Sequence, residues 1–322
     1  MRKTLALAAF LALAASGGQA QTTLKFADTL AASDTHNDAA RKMAELLKER
    51  TGGKLAMTVH PAGEFGNDNA ILEGVRLGTI DIATTGNPFF TSFAPKLNVM
   101  DLPYLFRDAD HAHKVMDGPI GQELLKDLEK NRMKGLAFWE IGFRQVTTSN
   151  RTVRTPDDLK GLKIRTTPNP AHVEAFKLLG ANPVPMPFTE LYMALQTGAV
   201  DGQENPINNI YANRMFEVQK HLSLTRHAYT ASIVAMNLAK FNALPADQQK
   251  AVLDAAHDAA VFQRGLNDKQ EAENLGKIKA AGVEVVDKID TEAFRKVVAA
   301  PVAKAYADRF GREVLDRIEQ TK

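Results

Sequence analysis

The sequence of 322 residues contains no cysteine. That absence excludes thiolate catalysis, Cys-ligated zinc, iron–sulfur clusters and disulfide staples together. It is compatible with any redox compartment, so it places the chain in none. Charge of one sign is missing too. Forty Lys and Arg stand against 38 Asp and Glu, a net of +2, which offers no basic footprint for a nucleic-acid backbone. Beyond the N-terminal region no apolar run approaches the roughly eighteen residues of a membrane-spanning helix. There is no G-x-S-x-G elbow, Walker loop, G-x-G-x-x-G turn or H-E-x-x-H pair, and no low-complexity linker. Catalytic groups can assemble from distant residues, but no spacing here points to a catalytic centre or to a resident cofactor.

What is present is a globular composition, 44% hydrophobic and 24% charged. The length suits two ordinary domains or one large α/β domain. The first residues read as an export leader. Arg2 and Lys3 form a positive start, Leu5 to Ala15 is apolar all round and too short to span a bilayer, and Gly18-Gln19-Ala20 fits a small-x-Ala cleavage pattern. The expectation is a signal peptide at residues 1–20, export to the periplasm, and no lipid anchor, because no cysteine follows the cleavage site. Loss of Arg2 and Lys3 leaves 38 basic residues against 38 acidic, a neutral mature chain.

The mature sequence alternates strand and helix. Leu24–Ala27 and Lys54–His60 alternate as strands. Asp34 or Thr35 can cap a helix carrying Ala40, Met43, Leu46 and Leu47, stopped at Gly52-Gly53. Asn67 or Asp68 caps the next, stopped at Gly78, and Asp81-Ile82-Ala83 is a short buried strand. Gly135–Trp139 and Leu162–Arg165 read as strands, Pro170–Leu179 and Thr189–Gln196 as helices. Leu77–Asp81 echoes Thr197–Asp201, a helix stopped at glycine before a hydrophobic-Asp pair. This favours two α/β lobes, each a mostly parallel sheet flanked by helices, with ligands bound at the carboxyl ends of the strands. From Pro245 the character changes. Asp247–Gly276 is a long helical pattern placed to bridge both lobes, Gly282–Val286 is a strand, and Thr291–Lys322 is helical with a break at Gly311.

Few residues look chemical. Asp110-His111-Ala112-His113 has metal-binding residue types, but positions i and i+2 point to different sides of a helix, and zinc needs several ligands with outer support. His36, His60, His172, His221, His227 and His257 are scattered. Arg165 alternates with Ile164 on its strand, and Arg144 follows the strand holding Trp139. Both are either solvated charges or a fork for a carboxylate, whose oxygens match planar guanidinium donors. Asp201–Pro206 reads as a strand-to-helix loop, with Asn205 as cap and Pro206 at the first helical position.

These residues carry a resemblance. Gly161–Arg165 (GLKIR), Asn182–Tyr192 (NPVPMPFTELY) and Ala194–Pro206 (ALQTGAVDGQENP) resemble the periplasmic solute-binding proteins of TRAP transporters, the DctP-like, C4-dicarboxylate-binding type. Gly142–Gln145, Thr147–Asn150 and Gly63–Asn67 (GEFGN) fit the same family, and the likeness covers essentially the whole mature chain. It implies a two-lobed α/β periplasmic binding protein, not an enzyme and without a cofactor or metal. Such a protein closes on a small organic acid and hands it to the membrane permease subunits. The resemblance places the bidentate carboxylate contact on Arg165, a second charge on Arg144, an aromatic contact on Phe188 and a hydrogen bond on Asn205. It divides the chain into lobe I, residues 21–142 plus 231–270, and lobe II, 143–230 plus 271–322, with the long helix joining them. Loops of lobe I add Thr29, Thr35, His36, Asn67, Thr85 and Asn87 near strand ends. Sialate-binding relatives carry an acidic residue where this chain has Thr85-Gly86-Asn87. The polar, neutral rim therefore suits a sugar acid, a hydroxy acid or a dicarboxylate. The expected partners are that acid and the permease, with no nucleic acid, and the chain is expected to be a monomer. A sensor subunit for the same acid would share these features, and an exported hydrolase or lyase would need a nucleophile and base in the cleft.

Overall fold

The computed structural model describes residues 21–322; the leader read at residues 1–20 lies outside the described residues. Among these, the strands in chain order are β1 (Thr22–Ala27), β2 (Leu55–His60), β3 (Ile82–Gly86), β4 (Met133–Phe143), β5 (Gln145–Thr148), β6 (Lys163–Thr166), β7 (Asn182–Pro185), β8 (Gly202–Asn205), β9 (His221–Ser223), β10 (Tyr229–Asn237) and β11 (Glu284–Val286). They form two sheets, ordered β2-β1-β3-β10-β4 and β11-β9-β5-β8-β6-β7. Each sheet is parallel but for one strand. β10 runs antiparallel to β3 and β4, and β5 antiparallel to β8 and β9. The same two strands receive the chain as it changes sheets, from β4 to β5 through Arg144 and from β9 to β10 through residues 224–228. The crossings lie side by side, since the Arg144 N–H donates to the Ala228 carbonyl at 2.8 Å. The architecture is mixed α/β, two sheets flanked by helices.

Local chemistry accounts for the element ends. Asp34 caps the helix Thr35–Arg50, its side chain accepting from the His36 N–H. Asn67 caps the helix Asp68–Leu77 by accepting from the Ala70 N–H, and Gly78 closes it in the left-handed conformation. Asp108 caps Ala109–Asp117 by accepting from the His111 N–H. His111 and His113 then diverge: His111 Nε2 lies 2.9 Å from the Ile318 carbonyl and His113 Nε2 2.7 Å from Glu140.

The helix expected over Asp247–Gly276 runs from Ala246 to Ala280, about 52 Å at the α-helical rise. Ala255, Ala256, Ala259 and Ala260 are buried with Phe26, Met43 and Trp139 in the core of the first sheet. Their small side chains let the helix lie close to β4. Trp139 stacks on Phe26 and donates its indole N–H to the Ala256 carbonyl at 2.9 Å. Farther along, Ile278 is buried with Leu191, Leu195 and Leu222 in a core of the second sheet. Between the two, Gln263 bonds the Glu140 backbone and Asn208 bonds the Asn267 carbonyl. One helix thus reaches both sheets. The terminal helix Glu313–Gln320 packs back over the first half, where Arg317 meets Glu123.

One expectation is corrected. Asp201–Pro206 is not a loop: Gly202–Asn205 is β8, an interior strand of the second sheet. Pro206, not Asn205, is the cap of the following helix, Ile207–Ala212. A strand made of Gly, Gln, Glu and Asn shows no apolar alternation, so pattern reading misses it. It is stable in the interior because its polar groups are paired: Gln203 Nε2 donates to Thr147 Oγ1 at 2.8 Å, and Glu204 meets Arg144.

Candidate functional site

The carboxyl ends of β1, β3, β6 and β8 converge on a cavity between the sheets. It holds about 440 Å³ of unfilled space including its opening, and the centre of a water molecule can occupy about 40 Å³ of it. Thr29, Asp68, Thr85, Thr230 and Ser232 line it from the first sheet and its loops; Arg165, Thr167, Phe188, Asn205 and Asn209 line it from the second. Arg144, at the crossing between sheets, also faces it.

The two arginines differ in what they already hold. Arg144 is 1% exposed and paired with the fully buried Glu204. Its Nε donates to Glu204 Oε2, and its Nη2 donates to Glu204 Oε1 and to Asn205 Oδ1, both at 3.0 Å. Burial pushes the Glu204 carboxyl up, but the charge of Arg144, with hydrogen bonds from His227 and Arg144, outweighs it and holds Glu204 well below the usual range. Arg144 is therefore largely neutralised by its own chain.

Arg165 is not. It is 1% exposed, and no acidic side chain among the described residues forms an ion pair with it. Its Nε and Nη2 both donate to the Met186 carbonyl, at 3.2 and 2.7 Å, and its Nη1 is buried with no hydrogen-bond partner. Burial pushes this guanidinium down to about 10, with Glu204 partly offsetting and Arg144 adding to the shift; it stays charged near neutrality. Because the Met186 carbonyl takes the Nε side, the free N–H groups are on the outer edge, one on Nη2 and two on Nη1.

Asp68 was not singled out as a site residue by the sequence. It is 1% exposed and accepts from Thr29 Oγ1 at 3.0 Å, from Thr85 Oγ1, and from the Phe188 N–H at 3.1 Å. The last bond joins an element of the first half to the helix Phe188–Gln196 of the second. Its only signal in the sequence is an acid at the first helical position after Gly63–Asn67. Asn209, whose Oδ1 is buried without a partner, was also missed, and so was the role of Glu204.

Six of the expected residues, Arg165, Arg144, Asn205, Phe188, Thr29 and Thr85, meet in this cavity. His36, Asn67 and Asn87 do not line it. His36 stands behind the wall, with Nε2 2.9 Å from the lining Ser232 and Nδ1 2.9 Å from Asp34. Asn67 is spent on its helix cap. Asn87 donates to the Leu97 carbonyl and, at 2.6 Å, to the buried Asp101. Asp101 also accepts from Asn169 at 2.9 Å and Thr230 at 3.2 Å, and burial pushes its carboxyl up to about 7. Thr35 Oγ1 donates to Asn267 Oδ1, away from the cavity.

The profile of the DctP family, bacterial extracellular solute-binding protein family 7, matches residues 26–309. The 2,3-diketo-L-gulonate-binding periplasmic protein of Escherichia coli is 41% identical over 97% of this chain and 96% of its own length. The crystal structure of a TRAP periplasmic solute-binding protein from Polaromonas sp. JS666 bound to D-erythronate superposes with a TM-score of 0.91 at 38% identity, covering 94% of this chain and 99% of that one. The sugar-acid-binding protein of Advenella mimigardefordensis in complex with galactonate gives 0.89 at 32% identity, covering 94% and 97%. Family match, relatives and solved neighbours agree along almost the whole described length: the chain belongs to the DctP family of bacterial extracellular solute-binding proteins, the binding proteins of TRAP transporters.

Proposed function

We propose that the cavity captures the carboxylate of a small hydroxylated organic acid on the outer edge of Arg165, with the two lobes closed around it. One observation carries this reading: a buried arginine with no acidic partner and an unpaired Nη1 in the cavity wall. A guanidinium in that position is only partly compensated for its burial, by the Met186 carbonyl and the nearby charge of Glu204. A carboxylate accepting one N–H from Nη1 and one from Nη2 supplies both the counter-charge and the missing acceptor. Arg144, already held by Glu204, positions Asn205 beside it. Phe188 supplies an apolar wall, and Thr29 and Thr85 stand opposite with Asp68 between them.

Asp68 favours a monoacid over a dicarboxylate. A second carboxylate in this small space would face its charge, whereas hydroxyl groups can donate to it. 2,3-Diketo-L-gulonate, D-erythronate and galactonate, named with the relatives, are monocarboxylates of this kind. The lobes proposed are residues 21–142 with 231–270 and 143–230 with 271–322, except that the terminal helix Glu313–Gln320 packs on the first. In this reading the chain is exported by the leader at residues 1–20, works in the periplasm without enzymatic turnover, and delivers the acid to a membrane permease. A thermal-shift panel of aldonates, uronates and dicarboxylates tests it, since a ligand bound only by the folded form raises the melting temperature by mass action. Hydroxylated monoacids are expected to shift it most, and no shift with any carboxylate would sink the proposal.

A further inference from the structure

The loop Pro61–Asn67 carries the Gly63–Asn67 motif, yet none of those residues lines the cavity. The backbone takes positive φ at Ala62 (57°), Gly63 (72°) and Gly66 (107°). The loop is pinned to the end of β1, because the Ala62 N–H donates to the Leu30 carbonyl at 2.8 Å and the Gly63 N–H to the Asp28 carbonyl at 2.9 Å. A Cβ on Gly63 would stand 3.2 Å from Cγ2 of Thr189 and 3.1 Å from the Gly66 carbonyl oxygen. Thr189 belongs to the other half, one residue past Phe188, whose N–H is held by Asp68. A few residues away the Ala31 N–H donates across to Asn213 Oδ1 at 3.2 Å. Ala62 and Thr189 both line the groove that opens outward from this seam. Beside these cross-half hydrogen bonds, Gly63 thus sits opposite the Thr189 methyl group with no room to spare for a side chain.

We propose that Gly63 is a positioning residue for closure: its missing side chain lets the loop seat on Thr189, so it governs how tightly the acid is held without touching it. The proposal rests on the reading above, in which the lobes close around the acid. The contact of a Gly63 side chain with Thr189 would exist in the closed form only, whereas its contact with the Gly66 carbonyl oxygen belongs to the loop in either form; through the former, apparent affinity falls in proportion to the closed population. The strain of a non-glycine residue at positive φ is a separate effect and needs its own control. Gly52 provides it, with φ of 58° and nothing within 4 Å of a built Cβ.

The test measures D-erythronate binding by calorimetry and stopped flow, and melting temperature without ligand, for the wild type, Gly63→Ala, Gly52→Ala and Thr189→Ser, and for the double variant Gly63→Ala/Thr189→Ser. Gly63→Ala is expected to bind about tenfold more weakly, through faster dissociation at an unchanged association rate, with coupling typical of residues in contact. Gly52→Ala should bind like the wild type. Removal of Cγ2 in the double variant should restore part of the affinity, which a general folding defect would not do. Thr189→Leu, which presses on the same contact from the other side, should weaken binding even if Gly63→Ala folds poorly. Wild-type binding that neither Gly63→Ala nor Thr189→Leu alters overturns this inference alone. A wild type that binds none of the aldonates, uronates and dicarboxylates of the thermal-shift panel overturns the reading of the cavity and this inference with it.

Discussion

Exchange of Arg165 for lysine keeps a positive charge in the cavity and removes the fork. In the structure the Nε and Nη2 groups are committed to the Met186 carbonyl, and Nη1 with the second N–H of Nη2 forms the edge offered to a carboxylate. Lysine can place one ammonium near that edge but cannot satisfy Met186 and both carboxylate oxygens in the same plane. Loss of one charge-assisted hydrogen bond is worth about 1.5–3 kcal/mol, so Arg165→Lys should raise Kd roughly 10- to 150-fold. Arg165→Ala leaves the carboxylate buried without a counter-charge, a loss of about 2–5 kcal/mol, or roughly 30- to 5,000-fold. Stability without ligand should respond differently. Arg165 has no ion-paired acid to abandon, and its charge is disfavoured chiefly by burial, with Glu204 partly offsetting, so the lysine variant should melt within a few degrees of the wild type. Calorimetry with D-erythronate and a melting curve for each variant separate the two effects. Arg165→Lys binding within threefold of the wild type, or affinity lost only in step with folding, would refute the fork.

Asp68→Asn should lower affinity for D-erythronate and raise it for succinate, because the carboxylate that takes hydroxyl donors and repels a second acid is gone; competition calorimetry reads the ratio, and an unchanged ratio contradicts the role given to Asp68. Arg144→Ala strands Glu204 in the interior and should destabilise the protein by about 3–5 kcal/mol, while the double variant Arg144→Met/Glu204→Leu recovers much of that in urea titrations. Asp101, pushed by burial from 3.8 up to about 7, holds a proton in the fold that the unfolded chain releases above its lower pKa. Its stabilisation is therefore complete below about pH 4 and fades as pH rises through 7, by at most about 1.4 kcal/mol per unit. Asp101→Asn should remove that component, so the stability difference between variant and wild type must drift with pH between 4.5 and 7.5; a constant difference would refute it.

Element ends were legible because they depend on local chemistry. Asp34, Asn67 and Asp108 cap helices by bonding backbone groups two or three residues on, and such pairs are visible in a linear string. The motif arginines and Asn205 were legible through family resemblance rather than spacing. β8 was hidden because a buried strand can replace apolar packing with paired polar groups, and the partners of Glu204, at Arg144 and His227, are distant in sequence. His36 and Asn87 illustrate a related difficulty. Loop residues near strand ends are plentiful, and only the packing decides which form the wall and which brace it from behind. Asp68 looked like a helix opening and is one; its second use depends on Phe188, 120 residues away.

The position of β10 carries a consequence for how the chain is made. Tyr229–Asn237 lies between β3 and β4, hydrogen-bonded to both. Synthesis completes β4 at Phe143, then the whole run through β9, before that strand exists. Until then β3 and β4 lack the neighbour that joins them, and their open edges are templates for mispairing. The N-terminal half cannot set into its final sheet as it emerges, and long-range pairing of this kind is slow. A chain cut short of Tyr229 should remain loose and aggregation-prone, while the full chain folds as one late event. For a chain exported as proposed above, a sheet whose interior strand β10 arrives last keeps the chain from setting before it is complete.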